Sequence, residues 1–214
     1  MKIIILQLKR IKLTLLILVG IFFSFIAKGQ QMPQYTQYMF NNYIINPAVA
    51  GTYNFYQLRV NARYQWVGLN DAPQTTGFSI FGPLQNKDMG WGTNLFMDVT
   101  GPTSRMGLMG SYAYNMQLNN DFRVSGGLSF GFLQYKVDPS KLTLGENSNP
   151  LDPAITEVGS AFTPDASVGV YVWNSFHYLG ISMNQLFGQK LNLYPNPIGI
   201  NRLKQHLIIC TGTS

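Results

Sequence analysis

Residues Tyr56 to Trp66 alternate without a break. Tyr56, Leu58, Val60, Ala62, Tyr64 and Trp66 share one parity, and Gln57, Arg59, Asn61, Arg63 and Gln65 share the other. Side chains of a strand point to opposite faces with period two, so the segment predicts a strand with one apolar and one polar face. The apolar face carries aromatic rings at its ends and aliphatic side chains between them, as on a strand that meets lipid between two headgroup layers. Eleven residues at about 3.3 Å each, tilted by roughly 40°, span about 27 Å, close to the apolar band of an outer-membrane barrel. A half-buried strand of a soluble sandwich would show the same alternation. The two readings differ over the arginines, because a one-residue slip in lipid would expose both at up to about 2–4 kcal/mol each.

The N-terminus favours the membrane reading. Lys2, Lys9, Arg10 and Lys12 precede an apolar run from Leu13 to Ile26, and Ala27-Lys28-Gly29 offers a small-x-small cleavage site. Residues 1–29 therefore read as a secretory signal peptide. An uncleaved anchor is the competing reading, but the run is short for a spanning helix. Five of the fifteen Lys and Arg residues leave with the leader, so ten basic residues face nine acidic ones in residues 30–214. This balance gives no reason to expect nucleic acid or an acidic substrate. Cys210 is the sole cysteine, which excludes an internal disulfide. An exported chain with alternating strands and no later apolar run of helical length points to a barrel, because only helices and closed barrels span lipid.

The same parity rule orders the following segments. Trp91, Thr93, Leu95, Met97 and Val99 oppose Asn94, Phe96 and Asp98; Met106 to Leu118 alternates, Asn119-Asn120 reads as a tight turn, and Phe122 to Phe132 alternates again. Arg59, Arg63, Arg105 and Arg123 all fall on polar faces and are expected to face the lumen. Residues 135–164, with Pro139, Pro150, Pro153 and Pro164, read as a long extracellular loop. Strand pattern returns at Ala166 to Val172, Phe176 to Met183 and Lys204 to Cys210. The fold class is all-β: an antiparallel transmembrane β-barrel of the outer-membrane type, incomplete in this chain, with about seven or eight strands visible.

Gly127-Leu128-Ser129-Phe130-Gly131 matches the G-x-S-x-G nucleophile pattern, but that chemistry needs a strand-to-helix turn and Ser129 lies inside a clean alternation. The glycines read instead as sites of curvature or close packing in the wall. His177 and His206 lack metal-ligand spacing. No catalytic residue, metal site or cofactor is expected.

Gln37-Tyr38-Met39-Phe40-Asn41, followed by Asn46-Pro47-Ala48 and Ala50-Gly51, resembles the opening signature of the PorP/SprF family of type IX secretion system membrane proteins. Arg63-Tyr64-Gln65-Trp66, Leu133-Gln134-Tyr135, Asp138-Pro139-Ser140-Lys141-Leu142, Pro164-Asp165-Ala166, Tyr178-Leu179-Gly180-Ile181-Ser182 and Leu203-Lys204-Gln205-His206 match in order. The resemblance implies a non-catalytic outer-membrane barrel of the secretion and gliding-motility machinery, acting on large adhesins with a C-terminal sorting domain. The implied partners are a periplasmic peptidoglycan-binding protein and the trans-envelope motor complex. Family members run beyond the equivalent of residue 214, which implies further strands. Gln37, Tyr38, Met39, Phe40, Asn41, Asn46, Pro47, Ala48 and Gly51 are signature residues with a structural or partner-contact role. Residues 30–51 are expected at the periplasmic mouth or entering the first strand. A passive porin with an arginine-lined, anion-favouring lumen is the alternative.

Overall fold

The computed structural model describes residues 38–85, 88–141, 158–191, 193 and 202–213. Eight strands form one sheet: β1 (Gln57–Tyr64), β2 (Gln74–Pro83), β3 (Met89–Thr100), β4 (Thr103–Gln117), β5 (Arg123–Val137), β6 (Gly159–Trp173), β7 (His177–Asn184) and β8 (His206–Thr213). The sheet is a meander in the order β1 to β8, with every neighbouring pair antiparallel. It curls into a half-barrel with β1 and β8 as its two edges. No helix among the described residues is long and apolar enough to cross a membrane.

The curl is apolar outside, and inside it mixes buried polar side chains with two apolar clusters. Leu58, Val60, Leu95, Met97, Leu108, Leu128 and Phe130 are exposed, whereas Thr75, Ser79, Asn94, Asn115, Ser125 and Ser182 are buried. A soluble sandwich buries the opposite set, so the burial itself identifies the outer surface as the lipid face. Rings gather toward both ends of that surface. Tyr56 packs on Trp91 at 6.2 Å, with Tyr112 and Tyr114 on the neighbouring strand, and Phe132 stacks on Phe162 at 5.1 Å toward the other end. These are the girdles expected where acyl chains meet headgroups.

Two short turns are built by asparagine side chains. Asn119 Oδ1 accepts from the Asp121 and Phe122 N–H groups at 3.0 and 2.8 Å, and Asn174 Oδ1 accepts from Phe176 and His177 at 2.9 and 2.6 Å. Each amide supplies the acceptor that the reversing backbone lacks. Asn119→Ala is expected to lower unfolding stability by about 0.5–1.5 kcal/mol in a urea titration of detergent-solubilised protein.

The ends of the long loop differ from the sequence reading. Tyr135, Lys136 and Val137 continue β5, and Gly159 to Pro164 already belong to β6. Pro164 is tolerated because it pairs with Phe132 on one side only; the ladder between β6 and β7 spans Val168 to Trp173. A proline at a one-sided position removes no ladder bond. Residues 142–157 lie outside the described residues. The last strand also shifts, from 204–210 to His206–Thr213, because Leu203 and Lys204 belong to a connection that folds inward.

Candidate functional site

The concave face of the sheet is occupied by the chain's own signature segment. Residues Tyr38–Phe40, Asn42–Ile44 and Pro47–Val49 form three successive 3-10 turns. Tyr43, Asn46, Ala48, Val49 and Ala50 are buried among inward residues of the wall. Tyr43, Ala48, Val49 and Ala50 share one apolar cluster with Phe81 of β2, Ala113 of β4 and Tyr171 of β6. For residues 41–50 this corrects the expectation that residues 30–51 lie at the mouth or enter the first strand: these residues form an internal plug. Tyr38–Phe40 hold no buried residue, with Met39 and Phe40 each 61% exposed, and Gln37 lies outside the described residues.

Local chemistry explains the shape of the plug. Asn46 is extended, with φ −141° and ψ 112°, as the residue before a proline prefers. Its Oδ1 accepts from Ala48 N–H at 3.0 Å and caps the turn that Pro47 begins. Gly51 ends the segment at φ +77°, a conformation that glycine adopts without strain.

Asparagine and serine side chains tie the plug to the wall. Asn41 Nδ2 donates to Asn61 Oδ1 at 3.1 Å and Ser79 Oγ at 2.9 Å. Asn46 Nδ2 donates to the Val170 and Ile181 carbonyls at 3.1 and 3.5 Å. Ser182 Oγ and Asn184 Nδ2 both donate to the Ile45 carbonyl, at 2.6 and 3.2 Å, and Asn115 Nδ2 donates to the Gly51 carbonyl at 2.9 Å. Tyr43 and Ser111 share a hydroxyl–hydroxyl bond of 2.8 Å; burial pushes the Tyr43 phenol up to about 12, with the Ser111 bond acting the other way. A segment too short to bury its own polar backbone needs such partners, because each unmet buried group costs about 1–3 kcal/mol. Asn46→Ala is therefore expected to lose about 1–3 kcal/mol of stability. Asn46→Asp, which keeps the cap but cannot donate, should recover little of it; full recovery in urea unfolding would contradict the assignment.

Wall glycines make room for the plug. A Cβ at Gly127 would meet the Ala48 nitrogen and lie 2.5 Å from its Cα. One at Gly92 would lie 2.7 Å from the Tyr43 ring, one at Gly169 would strike Asn46 Oδ1, and one at Gly90 would lie 2.5 Å from the Ala50 carbonyl carbon. The polar-face pattern gave no direct sign of the anchors Asn61, Ser79, Ser111, Asn115, Ser182 and Asn184. The usable signal was the glycines that recur at inward parity in β3, β5 and β6, since glycine inside a strand marks close backbone approach.

A second inward-folded piece packs toward the other end. Leu203 and Leu191, from the connection between β7 and β8, pack with Phe96, Leu133 and Tyr135. Thr163 Oγ1 donates to Gln189 Oε1 at 3.1 Å, and Leu186 N–H donates to the Ala166 carbonyl at 3.0 Å. The Gln185 amide, turned to satisfy both its atoms, accepts from Arg105 Nη2 at 2.9 Å and donates to the Lys204 carbonyl at 2.7 Å.

The four arginines occupy inward positions in different settings. Arg105 is buried between the Phe96 and Tyr135 rings, 5.2 Å from each centroid. Arg123 lies over Trp173 at 6.0 Å and 3.8 Å from Asp88. Arg59 donates to Gln57 Oε1 through Nε at 2.9 Å, and Arg63 follows it on the inner face of β1. Arg59 lines an open cavity with Phe40 of the signature segment, whereas Arg105 and Arg123 are held in aromatic contacts. Ser129 sits inside β5 opposite Ser111 and Ser167.

The family model described as type IX secretion system membrane protein PorP/SprF matches residues 27–213. Neither the search of curated proteins nor that of solved structures gave a match. The matched span covers the plug and all eight strands, and the inside-out sheet is the architecture a membrane protein of this kind requires. The chain belongs to the PorP/SprF family and is a membrane component of the type IX secretion system.

Proposed function

We infer that the protein is a non-catalytic outer-membrane barrel component that assists export or surface attachment of large adhesin-like proteins carrying a C-terminal sorting domain, in secretion and in gliding. The family match across residues 27–213 carries this reading. Residues 1–29 act as a cleaved signal peptide that delivers the chain to the outer membrane. The short turns after β2, β4 and β6 face the periplasm, and the longer connections after β5 and β7 face outward, following the asymmetry of outer-membrane barrels. This orientation brings the lead-in to the plug, at Tyr38, Met39 and Phe40, in from the periplasmic side. There the segment stands within reach of a peptidoglycan-binding partner and the trans-envelope motor.

Comparative proteomics of cell surface and culture medium, with and without the gene, tests the role. Loss of one or a few large sorting-domain proteins supports a dedicated exporter or anchor. Loss of all of them makes the protein a core component, and an unchanged surface and medium sinks the secretion reading. The packed plug weighs against a passive anion channel lined by Arg59, Arg63, Arg105 and Arg123, because residues 41–51 occupy the space an ion path would use. Planar-bilayer recordings of the purified protein are expected to show no steady anion-selective conductance.

A further inference from the structure

We propose that the turn Trp66–Leu69, in the connection between β1 and β2, is a lipid anchor seated in the boundary layer where headgroups meet acyl chains. Trp66, Val67 and Leu69 are 69%, 88% and 65% exposed. A Cβ built at Gly68, between them, meets nothing within 4 Å, so no described residue covers the tip at that point. Turns are ordinarily made of Gly, Pro, Asn, Asp and Ser, and the turn at Asn119 follows that rule. The Trp66 turn instead presents an indole and two aliphatic side chains. Exposed apolar groups gathered at one place mark contact with a membrane or a partner.

Continuity with the lipid face names the occupant. Tyr64 ends β1 and is 64% exposed, on the outward parity of Leu58 and Val60. The apolar series of β1 then goes on past its last paired residue through Trp66, Val67 and Leu69. Tyr56 stands at one ring level with Trp91. The eleven residues from Tyr56 to Trp66 cover about 27 Å when tilted as barrel strands are. Trp66 therefore reaches the opposite boundary, where an indole rests its ring among acyl chains and keeps its N–H wet. No charged side chain lies between Tyr64 and Asn70; Arg63 turns inward before the tip and Asp71 follows it.

The backbone is bent to hold this tip. Leu69 N–H donates to the Trp66 carbonyl at 3.1 Å and closes the turn, and Gln65 N–H donates to the Pro73 carbonyl at 3.0 Å beneath it. Gly101 N–H, from the turn between β3 and β4, donates to the Asp71 carbonyl at 3.1 Å and ties the connection to a second hairpin. Trp66 takes φ +50° and Asp71 φ +56°. The left-handed region is costly for a bulky residue such as tryptophan and persists only where the surroundings hold it. A strained tryptophan on a tied scaffold has a set position, as an anchor requires. Irregular backbone is not tolerated in hydrocarbon itself, so insertion stops at the boundary layer. On the orientation proposed above this is the outer leaflet; the insertion does not depend on which leaflet it is.

Quenching of a probe at Val67 tests the anchor in the purified full chain, less any cleaved leader, in phosphatidylcholine vesicles. Val67→Cys, in a Cys210→Ser background that leaves one thiol, carries an environment-sensitive fluorophore. Asn120→Cys, in the polar turn after β4, and Leu128→Cys, on the lipid face, are labelled in the same way as references. Lipids bearing a nitroxide near the headgroup are expected to quench the Val67 probe several-fold more than the Asn120 probe. Aqueous iodide is expected to quench it several-fold less. Iodide quenching at Val67 as strong as at Asn120 puts the tip in water and overturns the proposal. Shielding from both quenchers puts the tip against protein, of this chain or another, and overturns it equally. If the Leu128 probe also escapes the nitroxide lipids, the lipid face itself fails and the anchor falls with it.

Discussion

Leu128→Arg is expected to lower the stability of the membrane-embedded protein by about 1–3 kcal/mol, between the cost of an arginine at the middle of a barrel's lipid face and its cost at the headgroup level, because Leu128 lies level with Tyr112. Leu128 is 63% exposed and points outward from β5, between Tyr112 of β4 and Val168 of β6. On a soluble protein, an arginine at so open a position would change stability by no more than about 0.5 kcal/mol. The predicted size of the effect therefore depends on the medium that meets the residue. Ser129→Ala, one position along and inward, is expected to stay within about 0.5 kcal/mol. Urea unfolding from lipid vesicles separates the two, and a neutral Leu128→Arg would remove the lipid face from this surface.

Gly127→Leu should displace the plug. Its Cβ would meet the Ala48 nitrogen and approach Ala48 Cα to 2.5 Å and the Pro47 carbonyl carbon to 2.6 Å. All three are backbone atoms of a turn already fixed by Asn46 and Pro47, so no side-chain rotation relieves the collision. Overpacking of this kind costs about 1–3 kcal/mol, and here the cheaper outcome is for the segment to leave its seat. Chymotrypsin is expected to cut after Tyr43 in the variant and to spare that site in the parent protein, where Tyr43 is 3% exposed. Gly126→Leu is the internal control, since a Cβ there meets nothing within 4 Å. Equal protection of Tyr43 in parent and Gly127→Leu would mean that the plug does not depend on the glycine seat.

Together the two substitutions separate the functions of one strand's two faces. The outward face sets the affinity for lipid. The inward face fits a particular piece of chain, and that piece carries the family signature. The signature's asparagines and small residues are what the wall requires, namely donors that reach Ser79, Val170 and Ile181, and a thin turn that fits over Gly127 and Gly169.

What the sequence determined by itself was the identity of each face. Strand side chains alternate with period two whatever the strand's neighbours, so Leu58 against Arg59, or Leu128 against Ser129, can be assigned before any pairing is known. The turn at Asn119 is equally local, closed by one side chain on a backbone two or three residues away. The contents of the concave space were decided only by tertiary structure. Residues 38–51 have no periodicity to read, and their place depends on bonds to Ser79, Asn115, Val170 and Ser182, far along the chain. Pro164 reads as a breaker in isolation and is a strand residue because β7 does not extend beside it. In each case a property carried by one residue and its neighbours was legible, and a property created by the meeting of distant segments was not.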